Sequence, residues 1–139
     1  MTSIRVGIAG TSWWADAMYL PALKGNLGAE VVAACGRNHQ RAKDFAQRWG
    51  IPNYYTDYQT MLNEAELDAV IISTGNDTHA PFTLTALEKG IPVLCEKPLG
   101  TQLCGSSQDD KACGGDQACQ PCALYVFVHA DCSISEAPD

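Results

Sequence analysis

No apolar run in these 139 residues approaches the length of a membrane span; the longest, around "DAVIIST", is strand-sized. The opening "MTSIRVGIAG" has no basic segment leading into an apolar stretch and a small-residue cleavage site. That argues against secretion and makes the cytoplasm the expected compartment. Cations are few and scattered. Lys and Arg number 9 against 16 Asp and Glu, a net charge of −7. A nucleic-acid groove needs clustered basic side chains, so that partner is not expected. A second Cys-x-x-Cys pair at zinc-finger spacing is also missing: Cys119 and Cys122 form one pair, with Cys104, Cys113, His129 and Cys132 nearby at irregular intervals. No metal site is assigned.

What is present divides near position 103. Residues 1–100 carry 8 Lys/Arg and 10 Asp/Glu, a net of −2, whereas the remaining 39 carry 1 and 6, a net of −5. Cysteine splits the same way, with Cys35 and Cys95 in the first part and five in the second. A chain of this length holds one ordinary domain and hardly two. The expected organisation is a folded domain over 1–103 and an irregular, Cys-rich tail over 104–139.

The first part alternates. "SIRVGIAG", "GAEVVAACG", "LDAVIISTG" and "GIPVLCEK" are short apolar runs that read as buried strands, and "IPNYYT" reads as a shorter one between them. Helical patterns separate them. Asn38 is placed to cap "HQRAKDFAQRW" with Gly50 just past its end, Asp57 to cap "YQTMLNE", and "APFTLTALEK" stops at Gly90. Strands apolar on both faces, alternating with helices, imply an α/β fold: a doubly wound parallel sheet of Rossmann type. Ligands in such sheets lie beyond the carboxyl ends of the strands, where this chain puts its glycines and polar residues.

The first strand runs into "GIAGTSWWADA", a G-x-G-x-x-A fingerprint with Gly10, Ser12 and Ala15 at the three positions. Read for binding, Gly10, Thr11, Ser12 and Trp13 form the turn whose N–H groups face a pyrophosphate. In that reading Ser12 either crowds the approach or donates to a phosphate oxygen. The alternative is an ordinary strand–turn–helix. At the end of the second strand the chain offers "CGRNHQR" where NAD-binding domains place an acidic residue for the ribose. Arg37 and Asn38 at that point favour a 2′-phosphate, hence NADP over NAD.

Two further stretches, "DAVIISTGNDTHAPFTLTALEKGIPVLCEKPL" and "VGIAGTSWWADAMYLPAL", resemble the Gfo/Idh/MocA oxidoreductases, with their Ser-Thr-Pro-Asn-x-x-His loop and Glu-Lys-Pro signature. The resemblance covers nearly all of residues 3–103. It implies that Ser73, Thr74, Asn76 and His79 line the cofactor, and that Glu96 and Lys97 lie near the nicotinamide ribose and the substrate. Lys97 is the catalytic residue it carries over, close to the reacting hydroxyl and aiding its proton transfer. Gly75 replaces the family's proline, which implies a looser loop. The activity implied is hydride transfer between a nicotinamide cofactor and a sugar- or polyol-type hydroxyl, completed in the family by a C-terminal α/β substrate domain with a catalytic histidine and the usual oligomer interface.

That likeness stops in the tail. "CGSSQDDKACGGDQACQPC" has no helical or strand period, and "ALYVFVHA" reads as one strand with no evident partner. A metal or redox module, a disordered acidic segment and a slipped reading frame compete. Read one base later, cysteine codons begin with GT or GC, so "CGSSQDDKACGG" permits A-E-A-V-K-M-T-K-L-A-E-E. That string restores the amphipathic helix expected there, which makes the frame slip the preferred explanation. The expectation is then a cofactor-binding domain without its substrate domain, inactive alone and not oligomeric, with an uncovered sheet edge. A dinucleotide-sensing regulator and a Cys-tail metal-binding adaptor are the rival functions.

Overall fold

A computed structural model of the chain describes residues 3–99 and the strand at 126–128. Five parallel strands form where the apolar runs predicted them: β1 (Ile4–Ala9), β2 (Ala29–Cys35), β3 (Asn53–Tyr55), β4 (Ala69–Ile72) and β5 (Val93–Cys95). Their side chains alternate between two apolar clusters, one on each face of the sheet. Ala9, Ala33, Cys35, Val70, Ile72, Val93 and Cys95 point to one side, together with Met61 and Ala86. Val6, Ile8, Ala34 and Ile71 point to the other, with Leu20, Phe45 and Ala46. Burial on both faces explains why these strands read as unbroken apolar runs.

Helices cover both faces. A π-helical segment, Ala15–Tyr19, runs into α1 (Leu20–Leu23), and with α2 (His39–Trp49) it packs on the face of Phe45. The other face carries α3 (Tyr58–Glu64) and α4 (Asn76–Glu88). Here the ring of Tyr58 stacks on Phe82 at 4.1 Å. Tyr58 is thus core, whereas Tyr54 is exposed and Tyr55 half-buried.

The predicted caps form. The Asn38 side chain accepts from the Arg41 N–H at 2.9 Å, and that of Asp57 from the Thr60 N–H at 2.8 Å. Gly50 closes α2 at φ 68°, a conformation glycine adopts at little cost. Loss of an N-cap side chain costs about 1 kcal/mol. Asn38→Ala is therefore expected to lower the melting temperature by roughly 4–8 °C, read by circular dichroism.

Two elements differ from expectation. Helix α4 begins at Asn76, four residues before the predicted Ala80, because Thr78 closes an extra turn: its N–H and hydroxyl both bond the Gly75 carbonyl, at 2.9 and 2.8 Å. The strand foreseen in "ALYVFVHA" is β6 (Val126–Val128), and it has a partner, pairing antiparallel with β5. A strand edge offers a row of open N–H and C=O groups, and β6 occupies the one that β5 was expected to leave bare. The sheet is therefore parallel through five strands with an antiparallel sixth, in the order β3-β2-β1-β4-β5-β6. The rest of the tail, including the Cys119–Cys122 pair and the proposed frame slip, lies outside the described residues.

Strand order reverses between β1 and β4, so the connections leaving these two strands diverge to opposite faces. That opens a crevice at their carboxyl ends, the place where such folds bind ligands.

Candidate functional site at the strand ends

Four loops meet beyond the carboxyl edge of the sheet, and every residue predicted to bind lies on one of them or, for Asn76 and His79, in the first turn of α4. Gly10, Thr11, Ser12 and Trp13 follow β1; Arg37 and Asn38 follow β2; Ser73, Thr74 and Asn76 follow β4; Glu96 and Lys97 follow β5. Gly10 stands at φ 110° with its N–H on the Cys35 carbonyl at 2.9 Å. A Cβ there would come within 2.2 Å of the Ser73 carbonyl oxygen. Only glycine lets the first turn lie flat against the β4 loop.

Ser12 resolves the question its sequence position raised. Its hydroxyl lies 3.3 Å from the Ser73 carbonyl, 3.2 Å from the Ser73 hydroxyl and 3.3 Å from the Ala15 N–H. The side chain is folded onto protein partners and does not obstruct the turn. Trp13 is 71% exposed beside it, with its ring 5.8 Å from that of Trp14. Arg37 and Asn38 are exposed, and the Arg37 guanidinium makes no ion pair among the described residues. An unpaired cation thus stands where such folds commonly place an acidic residue.

The β4 loop is not held loosely. Gly75 sits at φ −71°, close to the angle a proline ring imposes. The Thr74 and Thr78 hydroxyls lie 2.6 Å apart, in hydrogen-bond contact, and Ser73 is buried. His79 is held on both sides. Its ring is 1% exposed, with Nδ1 2.8 Å from the Pro98 carbonyl and Nε2 3.2 Å from the Thr74 carbonyl. Both nitrogens face main-chain oxygens, so the side chain is directed into the protein and ties two loops together.

Glu96 is likewise engaged within the chain. Its carboxylate accepts from the Trp14 indole N–H at 2.5 Å and from the Tyr19 hydroxyl. Sequence reasoning missed Tyr19 and gave Trp14 no such role. The π-helical register supplies the reason: its i→i+5 bonds, one of which runs from the Leu20 N–H to the Ala15 carbonyl, bring residues five apart onto one side. Lys97 follows, exposed, with a cis bond to Pro98.

Behind the site, burial foremost and then the negative charge of Asp57 push the Cys35 thiol up to about 11. Cys95 is buried too and donates to the Glu96 carbonyl at 3.3 Å. A thiol held protonated is a poor nucleophile. At pH 8 iodoacetamide is expected to leave Cys35 and Cys95 unmodified in the native protein and to alkylate both after unfolding, as read by peptide mass spectrometry. Among the described residues no cluster of His, Cys, Asp or Glu is arranged to hold a metal. No helix described is long and apolar enough to cross a membrane. A pocket of about 360 Å³ lies one strand away, beside β3, lined by His39, Tyr54, Tyr55, Thr56, Asp57 and Thr60.

Comparison with known proteins agrees with this geometry. The model of an oxidoreductase family with an NAD-binding Rossmann fold, GFO_IDH_MocA, matches residues 4–113. An uncharacterized oxidoreductase of Rhizobium meliloti is 39% identical over 99 residues, which are 71% of this chain and 30% of that protein. The D-xylose 1-dehydrogenase (NADP(+)) 2 of Haloferax volcanii is 38% identical over 93 residues, 67% of this chain and 28% of the relative. The solved structure of KijD10, a 3-ketoreductase from Actinomadura kijaniata in complex with NADP and TDP-benzene, superposes with a TM-score of 0.67 at 37% identity, over 72% of this chain and 30% of the other. The chain thus spans about 30% of the length of the curated relatives it matches.

Proposed function

Because the chain belongs to the Gfo/Idh/MocA oxidoreductase family and carries its NAD-binding Rossmann fold, we propose that its strand ends hold NADP in preference to NAD, in the service of a sugar- or polyol-type dehydrogenase reaction. The observation that carries the choice of cofactor is the exposed Arg37 guanidinium at the end of β2, with no acidic residue beside it. The fit of the first turn supports the same reading: Gly10 lies against Ser73 and the Ser12 hydroxyl is folded away, so no side chain of either residue fills the cradle.

Each loop then has a part. The N–H groups of Thr11, Ser12 and Trp13 face the pyrophosphate across the turn that Gly10 makes possible, and the exposed Trp13 ring screens it from water. Arg37 and Asn38 take the adenosine phosphate. Ser73, Thr74 and Asn76 flank the same crevice from β4, with His79 supporting that loop from beneath. Glu96 braces the β5 loop, and Lys97 presents its ammonium group toward the nicotinamide end. When bound, the nicotinamide exchanges a hydride with the substrate carbon. Lys97 stabilises and relays the proton of the hydroxyl on that carbon. The chain spans about 30% of the length of the curated relatives it matches, and by itself it is expected to bind the cofactor without steady turnover.

The test is a titration of the purified chain with NADPH and NADH, followed by the nicotinamide fluorescence. A charge-assisted hydrogen bond contributes about 1.5–3 kcal/mol, so saturable binding with NADPH tighter by roughly tenfold or more is expected. Equal affinity for the two would remove the NADP assignment; no saturable binding of either would remove the functional reading.

A further inference from the structure

Lys97 has no partner of its own: among the described residues its ammonium group makes no hydrogen bond or ion pair, and it stands exposed. A long side chain left so is a poorly aimed one, because its rotamer freedom is unspent. Its two chain neighbours, in contrast, are both fastened. On one side the Glu96 carboxylate is gripped by the Trp14 indole and the Tyr19 hydroxyl from the π-helical segment, and the Glu96 N–H continues the ladder to the Ile72 carbonyl at 2.9 Å. On the other the Pro98 carbonyl meets the buried His79 ring at 2.8 Å, whose far nitrogen reaches the Thr74 carbonyl of the β4 loop. These anchors come from the two elements that flank the crevice.

Resting on the reading of Lys97 as the proton-transfer residue, we propose that His79 and the Trp14–Tyr19 pair are positioning residues that clamp the Glu96–Pro98 turn from both sides and thereby fix where Lys97 is presented to the cofactor. A buried imidazole is costly unless its nitrogens are bonded, and this one bonds only main-chain oxygens. Both facing groups are carbonyl oxygens, which only accept, so each contact needs an N–H on the ring; the Nδ1 contact to Pro98, at 2.8 Å against 3.2 Å for Thr74, is the one the clamp rests on. The chemistry therefore asks for an N–H at the Nδ1 position, which an asparagine amide reproduces and a leucine of similar bulk does not.

The experiment measures how fast an amine-acetylating reagent modifies Lys97 in the whole chain, by peptide mass spectrometry, with and without saturating NADP; the other lysines serve as internal references. In the wild type saturating NADP should slow Lys97 acetylation at least tenfold relative to those references. His79→Leu should reduce that protection to less than twofold at saturating NADP, whatever its affinity, and His79→Asn should restore most of it. Tyr19→Phe, which deletes one donor to Glu96, should give an intermediate loss, and it carries the test alone should His79→Leu fail to fold. Full protection in His79→Leu, or in Tyr19→Phe where that stands alone, overturns the proposal. So does an Asn variant no better than Leu, since bulk and not the N–H would then be what matters. Wild-type protein that does not bind NADP at all overturns the underlying cofactor reading instead, and this one with it.

Discussion

Gly10→Ala should be the most damaging single substitution in the first turn, lowering the melting temperature by roughly 10–25 °C and removing cofactor binding. Two independent effects combine. At φ 110° an L-residue is strained, which costs about 1–3 kcal/mol. The added methyl would also sit 2.2 Å from the Ser73 carbonyl oxygen and 2.6 Å from its carbon, and neither is a side chain that can swing aside. The Ser73 N–H is bound to the Ala9 carbonyl at 2.8 Å, so β1 and β4 would have to separate for the methyl to fit. Overpacking of this sort costs about another 1–3 kcal/mol. Gly25→Ala is the control: a Cβ at that position meets nothing within 4 Å, and the change should be within about 0.5 kcal/mol of neutral. Equal effects of the two alanines in a thermal melt would show that the first turn does not press on the β4 loop.

Arg37→Ala should weaken NADPH binding by roughly 10–100-fold while changing NADH affinity by no more than about threefold. The asymmetry arises because the two cofactors differ only in the 2′-phosphate, and Arg37 is an exposed cation with no competing ion pair among the described residues. Arg37→Lys should recover part of the loss, because an ammonium group keeps the charge but not the two-pronged geometry of the guanidinium. The loss should also shrink in high salt, since the contact is exposed and screened within about 10 Å at 0.1 M. A parallel drop for both cofactors would place Arg37 outside the phosphate site.

Much of the fold can be read directly from residue order, because its signals are local. Asn38, Asp57 and Gly50 announce the ends of α2 and α3 through their own side chains or backbone freedom, and the caps form as expected. Strands buried on both faces announce themselves as apolar runs. The positions of the four site loops follow once the strands are parallel, so the crevice residues were legible as a group. What was not legible depends on contacts between distant segments. The contact between Tyr19 and Glu96 spans 77 positions in sequence, and no periodicity reports it. The contact of the His79 ring with the Pro98 carbonyl, 19 positions away, is equally silent in the sequence. The pairing of β6 with β5 has the same origin, since a strand pattern names no partner.

The central claim is that the nucleotide lies across the ends of β1, β2, β4 and β5, and amide NMR of the isotope-labelled chain during an NADP titration tests it most directly. Saturable shifts gathered at residues 10–13, 37–38, 73–76 and 96–97 are the expected result. Shifts centred on His39, Tyr54 and Thr60 beside β3, or a spectrum that NADP leaves unmoved, would contradict it.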